Sequence, residues 1–344
     1  MISILRRISS KIMHILALPH EVTELRRYSI RAHHQTTIAT SKILNKNRRY
    51  RVIPLNVEHD AYMTNPGLVY FQEKLLVIAR ICNLMIRADR HGSFDGPVYR
   101  ARILQMEMDN QFARSSTGYL DDTDICNRIA EARHGIEDVR PFVWQGELYG
   151  IGAGYSLRPD GTVLNTQILV KFDADTVRHV ETFQSPAAPG QTEKNWIPLV
   201  YNDELLLVYQ VYPTIIYRYT QPGLELLPRH PADQAHSSKE ILRGSSNFIE
   251  YDGHYIAVAH YPPMWVYEKR YYQHVFIAFD RDLRLIDISE PFFFFRPGIE
   301  FVLSLLRDGD TLLISVGSGD RYGSVLVMPI ADLHSHLLLR APSC

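Results

Sequence analysis

One short phrase occurs five times along the chain: a turn of polar residues or glycine, followed at once by an apolar, strand-like run. The copies lie at residues 72–79, 145–151, 202–209, 252–259 and 308–315. Most are followed by a second run rich in β-branched or aromatic residues, such as residues 167–172. A repeat of roughly 50 to 70 residues made only of strands and turns is typical of a β-propeller, with one blade per repeat. The sequence therefore predicts an all-β fold, a five-bladed propeller.

Length and cysteine content narrow the class of protein further. The 344 residues hold no uninterrupted apolar run of the ~20 residues that a membrane-spanning helix needs. The first 18 residues are apolar but contain Arg6, Arg7 and Lys11 and no small-residue cleavage site, so they do not resemble a secretory signal. Three widely spaced cysteines give neither a disulfide framework nor a metal-ligand pattern. We therefore expect a cytoplasmic protein without a metal ion or other cofactor.

Charge is distributed unevenly between the two ends of the chain. Residues 1–53 hold 11 Lys and Arg against two acids, a net charge of +9, whereas the remainder holds 26 against 36, a net charge of −10. Apolar residues in the first part have helical spacing. We expect residues 1–53 to be a basic, helical extension and residues 54–344 to be the propeller. The extension either packs against the propeller or contacts an anionic membrane, at its inner face, or an anionic glycan. The propeller has no basic-aromatic stripe, so nucleic acid is not an expected partner.

Polar clusters stand at corresponding places beside the five repeats. Because matching positions in successive blades face the same axis, we expect these side chains to converge on one funnel. The candidate site residues are Asn65, Arg80, Glu137, Asp138, Arg140, Glu193, Lys194, Asn195, Ser246, Asn247, His260, Glu300 and Asp320.

This mixture of carboxylates and basic side chains suits sugar chemistry. Cleavage of a glycosidic bond needs an acid to protonate the departing oxygen and a group that attacks the anomeric carbon. Basic side chains could bind a phosphate, and Trp196, Trp265, Tyr209 and Tyr261 could stack on sugar rings. Structural alternatives stand beside each assignment: an Asp138–Arg140 ion pair, core positions for Trp196 and His260, and a strand cap at Glu300.

The same residues resemble the β-mannoside phosphorylases of glycoside hydrolase family 130. The run Glu137-Asp138-Val139-Arg140 is similar to that family's Glu-Asp-Pro-Arg motif. Further similarities, in order along residues 60–332, are Asn65-Pro66 with Arg80, Glu193-Lys194-Asn195-Trp196, Val258-Ala259-His260 and the stretch from Tyr272 to Asp320.

The resemblance implies an inverting enzyme with Asp138 as the general acid, acting through a sugar hydroxyl. Arg140, Lys194 and His260 would bind phosphate or sugar. Related β-1,2-mannosyltransferases use the same propeller with a nucleotide sugar. Gln210 follows the third strand where the resemblance leads us to expect a basic residue, and the basic extension could hold the protein near anionic glycans. We therefore favour a glycosyltransferase that joins a mannoside-like sugar from a nucleotide-sugar donor to a glycan acceptor.

Three alternatives remain open. The first is a β-mannoside phosphorylase, which uses inorganic phosphate and for which a sugar 1-phosphate is the donor in the reverse reaction. The second is a hydrolase of the other five-bladed glycosidase group, which needs an Asp near the start of blade one; Asn65 holds that position and Asp60 lies five residues earlier. The third is a propeller that binds glycan or protein without catalysis.

Overall fold

The structure, a computed structural model, describes residues 30, 32–55, 62–86, 92–94, 99–109, 111–157, 163–186, 192–228, 241–266 and 269–337. Its strands form five separate sheets of four or more strands, which follow one another along the chain and are antiparallel except for one added strand in blade four. These sheets are the five predicted blades.

The first three blades each contain four strands in simple up-and-down order. Blade one comprises Tyr62–Phe71, Lys74–Cys82, Ala101–Met108 and Arg114–Tyr119; blade two Ile136–Trp144, Glu147–Leu157, Val163–Asp173 and Thr176–Phe183; blade three Ile197–Tyr201, Glu204–Gln210, Ile215–Tyr219 and Leu224–Leu226. In blades four and five the innermost strand is split into two short segments, which pair with the same second strand. Blade four comprises Arg243–Gly244, Ile249–Tyr251, His254–His260, His274–Phe279, Leu285–Ile288 and Phe292–Phe293; blade five Glu300–Phe301, Leu305–Asp308, Thr311–Ser318 and Tyr322–Pro329.

The repeated polar phrase forms the tight turn between the first two strands of each blade. In blades one to four both central residues of this turn have positive φ, for example 49° and 63° at Asn202 and Asp203. Two-residue hairpins need this left-handed backbone because it matches the right-handed twist of the strands, and Asn, Asp and Gly adopt it most readily. The turn residues therefore fix the register that directs one face of each blade toward its neighbour.

Five hydrophobic clusters lie between the blades, one at each junction. They join blades one and two, two and three, three and four, four and five, and five and one. The last cluster includes Leu68 of blade one with Leu313 and Val325 of blade five, so the ring is closed. Closure leaves each blade with both faces covered, as a propeller requires.

The segment before blade one completes this closure. Arg51–Leu55 is the outermost strand of blade five, antiparallel to Tyr322–Pro329, and Lys42–Ile43 pairs in parallel with Phe292–Phe293 of blade four. Residues 32–40 are helical, but residues 42–55 are not, apart from a 3-10 turn at Lys46–Arg48. The sequence prediction of helix up to about residue 50 is wrong over this part, because its backbone pairs with blade edges instead. Residues 1–29 lie outside the described part of the chain.

Smaller elements fill the long connections. Residues 109–134 contain the outer strand of blade one and the helix Thr123–Arg128, followed by a 3-10 turn at Ala130–Ala132. Two extra hairpins project from blades one and four: Leu84–Ile86 with Gly92–Phe94, and Met264–Val266 with Lys269–Tyr271. A 3-10 helix, Ile330–Ser335, follows blade five. No helix among the described residues is long and apolar enough to cross a membrane.

Candidate functional site

The innermost strands of blades one and two each contain an irregularity at the same level. The pairing register shifts between Thr64 and Gly67 in blade one, and opposite Asp138 in blade two. Asn65 and Asp138 have left-handed backbone there, with φ of 45° and 54°, and Asn195, just before blade three, has φ of 69°. A bulge re-aims the side chain of its extra residue, and such features are common next to active sites. The local backbone thus directs three predicted site residues away from the regular sheet pattern.

Neighbouring blades approach each other closely near these bulges. A Cβ atom at Gly317 of blade five would lie 2.2 Å from Asn65 Oδ1, and one at Gly67 would lie 2.4 Å from Pro141 Cδ. Side chains are absent at both positions because the neighbouring inner strand occupies the space. The result is that polar groups from different blades come within hydrogen-bonding distance.

The carboxylates of Asp138 and Glu137 both lie beside the guanidinium of Arg80. Each carboxylate also accepts a hydrogen bond from a polar side chain. The Asn65 amide donates to Asp138 Oδ1 at 2.9 Å. Arg80 Nη1 lies 2.8 Å from Glu137 Oε1, and Arg80 Nε lies 3.6 Å from Asp138 Oδ1. The hydroxyl of Tyr99 donates a short hydrogen bond to Glu137.

The charge state of this group follows from its burial and its neighbours. Burial alone would raise the pKa of Asp138, but the charges of Arg80 and Lys194 and the Asn65 hydrogen bond outweigh it and hold that pKa below its ordinary value. Burial disfavours the charged form of Arg80 as well, yet the two carboxylates raise its pKa well above the usual range. Asp138 is therefore a carboxylate at neutral pH in the ligand-free protein.

Arg140 crosses from blade two to blade four. Its Nε donates to the backbone oxygen of Ser245 at 2.6 Å, its Nη1 donates to the backbone oxygen of Asp138 at 3.2 Å, and its Nη2 donates to Asn195 Oδ1 at 3.5 Å. Blades two and four are not adjacent, so these contacts span the propeller axis. We call Asn65, Arg80, Glu137, Asp138, Arg140 and Asn195 the axial cluster. The predicted Asp138–Arg140 pairing is present only through the backbone of Asp138; the side-chain ion pair goes to Arg80.

Positive charge collects on the blade-four side of the axial cluster. His260 is buried, with Nδ1 2.7 Å from Ser245 Oγ and its ring 5.0 Å from that of Phe301. Burial, followed by the charges of His274, Arg243, Arg140 and Lys194, lowers the pKa of His260 well below its ordinary value. His260 is therefore neutral. Within the described residues, the side chains of Lys194 and Arg243 have no hydrogen bond or ion pair, so their charges are available to an anionic ligand.

Asp320 lies in a left-handed turn of blade five, with φ of 52°. Burial raises the pKa of its carboxyl group, while Arg80 opposes that effect and Asp138 adds to it. Among the described residues it forms neither a hydrogen bond nor an ion pair. Asp320 thus adds an unpaired carboxyl group close enough to the axial cluster to interact with three of its members, Arg80, Asp138 and Glu137.

Four predicted site residues have their polar groups occupied by the fold itself. Glu300 accepts hydrogen bonds from the backbone N–H groups of residues 294, 295 and 296, at 2.7–3.1 Å, and thus caps this segment. Glu193 accepts from Ser185 N and Trp196 Nε1. Ser246 Oγ accepts from Val258 N, and Asn247 bridges blades four and five through both N–H and C=O of Leu305. These contacts are structural, and a part for these four residues in substrate binding stays a prediction.

Several residues at the site are not among the candidate site residues chosen from the sequence. Thr64 accepts a hydrogen bond from Arg80 Nε at 2.6 Å, and Tyr99, Ser245 and Phe301 contact Glu137, Arg140 and His260. Tyr99 follows the extra hairpin of blade one and has no equivalent position in the other repeats. The repeat therefore did not predict it. Trp196 is fully buried and stacks on Phe183 and Tyr217, so its core alternative is confirmed.

Two further predictions concern an acid in blade one and metal binding. Asp60, the residue on which the hydrolase alternative depends, lies outside the described residues. Within the described part, no group of three or more His, Cys, Asp or Glu side chains is placed to hold a metal ion.

Comparison of the fold with solved structures identifies carbohydrate-active enzymes. No protein-family model and no curated protein sequence matches the chain. A β-1,2-mannobiose phosphorylase from Listeria innocua superimposes with a TM-score of 0.57 at 11% identity, over 83% of this chain and 99% of its own. A mannose phosphorylase from Leishmania mexicana, in complex with a phosphate ion, gives 0.57 at 12% identity, over 92% and 100%.

A third structure comes from work on the GH130 mannoside phosphorylases, a family described there as containing hydrolases that target β-1,2-mannosidic linkages in Candida mannan. It gives a TM-score of 0.59 at 11% identity, over 84% of this chain and 97% of its own. The chain has the propeller fold of glycoside hydrolase family 130 mannoside phosphorylases and related glycoside hydrolases.

Proposed function

We propose that this protein is a carbohydrate-active enzyme that cleaves a β-mannosidic bond with inorganic phosphate. The observation that carries the proposal is the bulged Asp138 carboxyl group together with two cations whose side chains have no ion pair within the described residues: Lys194, whose charge acts on Asp138, and Arg243, whose charge acts with that of Lys194 on His260. A general acid and cations that can hold a phosphate are what inverting phosphorolysis needs. The phosphorylases among the structural neighbours support this alternative over transfer from a nucleotide sugar, which the sequence had favoured.

In the proposed reaction a phosphate oxygen attacks the anomeric carbon while the bond to the departing sugar oxygen breaks. The proton on the Asp138 carboxyl group passes to that oxygen, by way of a sugar hydroxyl, and inversion of a β-linkage gives an α-sugar 1-phosphate. Asp138 must therefore gain a proton before turnover. A phosphate anion beside Lys194 offsets the cation that lowers the pKa of Asp138, so binding of phosphate favours the protonated acid.

A hydrolase is the second candidate, because Asp320 is an unpaired carboxyl group near Asp138. Inverting hydrolysis uses two carboxyl groups, one as the acid and one as the base that activates water. In this reaction Asp320 would take a proton from water and no phosphate would be needed.

The test is to incubate the protein with β-1,2-mannobiose, with and without inorganic phosphate, and to analyse the products. Mannose together with α-mannose 1-phosphate, formed only with phosphate, is the expected result. Lys194→Met should then raise the KM for phosphate at least about tenfold, since it removes a charged partner. Mannose alone, formed equally in phosphate-free buffer and lost in Asp320→Asn, would establish the hydrolase instead. Turnover only with GDP-mannose and an acceptor would restore the transferase.

A further inference from the structure

The hairpin that projects from blade four presents an aromatic side chain to solvent. Met264–Val266 pairs with Lys269–Tyr271, which places Trp265 directly opposite Arg270. The indole of Trp265 is 51% exposed, whereas Trp144 and Trp196, the other two tryptophans of the chain, are buried. Its exposed apolar surface is available to a ligand, and burial of that surface under a ligand is favourable.

This hairpin lies beside the catalytic groups of the proposed function. Tyr272 follows its second strand, and the Tyr272 ring is 5.9 Å from the His260 ring. The backbone N–H of Tyr272 donates to Gly298 O, and the N–H of Gly319 donates to Ile299 O. The hairpin and the turn that holds Asp320 are therefore bonded to neighbouring residues, Gly298 and Ile299. Consistently, Arg270 is one of two cations whose charge opposes the effect of burial on the pKa of Asp320.

The hairpin is also held in place. The Arg270 guanidinium lies 5.6 Å from the centre of the Trp265 ring, within cation–π distance. From the helical segment 32–40, His34 Nδ1 lies 3.3 Å from the backbone oxygen of Trp265, and Gln273 Nε2 donates to Ser41 Oγ at 2.5 Å. A ring fixed in this way loses little conformational entropy when it binds a ligand.

A planar indole beside a guanidinium suits one class of ligand, a pyranose ring. The C–H groups on a pyranose face form an apolar patch that packs on the electron-rich face of an aromatic ring. The hydroxyls at the edge of the sugar accept hydrogen bonds from arginine, whose fork of donors is rigid. Trp265 and Arg270 offer both features next to the place where the scissile bond would lie.

We propose that Trp265 and Arg270 form an outer sugar subsite, which binds a ring of a β-linked oligosaccharide beyond the pair of rings joined at the scissile bond. This inference rests on the proposed function. It predicts that the enzyme prefers oligosaccharides longer than a disaccharide and that the hairpin sets this preference.

The experiment uses the full chain with Asp138→Asn, which can bind sugar without turnover, and titrates it calorimetrically with β-1,2-mannobiose and β-1,2-mannotetraose. We expect tighter binding of the tetrasaccharide, and we expect Trp265→Ala in the same background to weaken it about tenfold, which brings the two affinities together. Leu226→Ala, which truncates an exposed side chain on the outer strand of blade three, is the matched control and should keep the length preference.

A second measurement, tryptophan fluorescence quenching, needs no substitution in the hairpin. Because Trp265 is the exposed tryptophan, acrylamide quenching of the Asp138→Asn protein reports on it, and the tetrasaccharide should reduce quenching more than the disaccharide does. If both sugars bind and Trp265→Ala leaves their affinity ratio unchanged, the subsite is refuted while the proposed function stands. If neither sugar binds, both the proposed function and the subsite are refuted.

Discussion

Asp138 and Glu300 are both buried carboxyl groups beside a propeller strand, but the fold treats them differently. Asp138 is held by side chains from other blades, the Asn65 amide and the Arg80 guanidinium. Glu300 is held by three consecutive backbone N–H groups in the segment between blades four and five. Side chains can exchange a partner for a ligand by rotating, whereas backbone groups of a turn cannot move without unfolding it. The type of partner therefore separates a candidate catalytic acid from a structural cap.

The two residues also differ in the direction of their pKa shifts. For Glu300, burial raises the pKa and the backbone hydrogen bonds oppose it only in part. For Asp138, burial acts in the same direction, but nearby cations and the Asn65 amide outweigh it. Glu193 follows the pattern of Glu300, with a pKa raised by burial and with a backbone N–H and an indole N–H as its partners.

The largest effect should come from Asp138→Asn. Removal of a general acid costs about 10²- to 10⁴-fold in rate, so kcat for the proposed phosphorolysis should fall by that factor. The amide is nearly isosteric, so the circular dichroism spectrum should remain that of the folded parent protein. A variant that retains more than a tenth of the parent kcat would mean that Asp138 is not the acid.

A smaller effect, on stability, should come from Glu300→Gln. Both Glu300 oxygens accept backbone hydrogen bonds, and a glutamine amide would turn an N–H₂ group toward one of these donors. An unsatisfied buried donor costs about 1–3 kcal/mol, which in a chain of this length lowers the thermal midpoint by about 1–2 °C for each kcal/mol. Differential scanning calorimetry of this variant and of Asp138→Asn makes the comparison. A midpoint unchanged in Glu300→Gln would contradict the capping role.

The smallest effect is on the pH dependence of the free energy of unfolding, to which Asp138 and Glu300 should contribute in opposite directions. The Asp138 pKa is lowered in the folded state, so its contribution to stability is present above the ordinary value of 3.8 and is lost as pH falls through the folded pKa. The Glu300 pKa is raised, so its contribution is present below the ordinary value of 4.5 and is lost as pH rises through the folded pKa.

Urea unfolding of the parent protein and the two variants across pH 3 to 8, about the range over which both groups titrate, measures these dependences. The stability difference between parent and Asp138→Asn should shrink toward acid pH. The difference between parent and Glu300→Gln should shrink toward neutral pH. Two differences that move in the same direction would show that the contrast between the two carboxyl groups is wrong.

Much of the site's composition was predictable, because the repeat places equivalent positions around one axis. Asn65, Arg80, Asp138, Arg140 and Asn195 were chosen by their phase in the repeat, and the structure joins them in the axial cluster. The same reasoning also selected Glu193 and Glu300, since phase says where a residue lies but not which atoms it contacts. Tyr99 was missed because it enters the cluster from outside the repeat.

The sequence by itself determined the five-bladed ring. Polar turns with left-handed backbone and short apolar, strand-like runs are local signals, and each specifies its own hairpin without help from the rest of the chain. Only the tertiary structure decided the electrostatics of the site. Asn65 and Asp138 are 73 residues apart, and Arg140 and Ser245 are 105 apart. The charge state of Asp138 depends on contacts between blades, which exist only once the ring has closed.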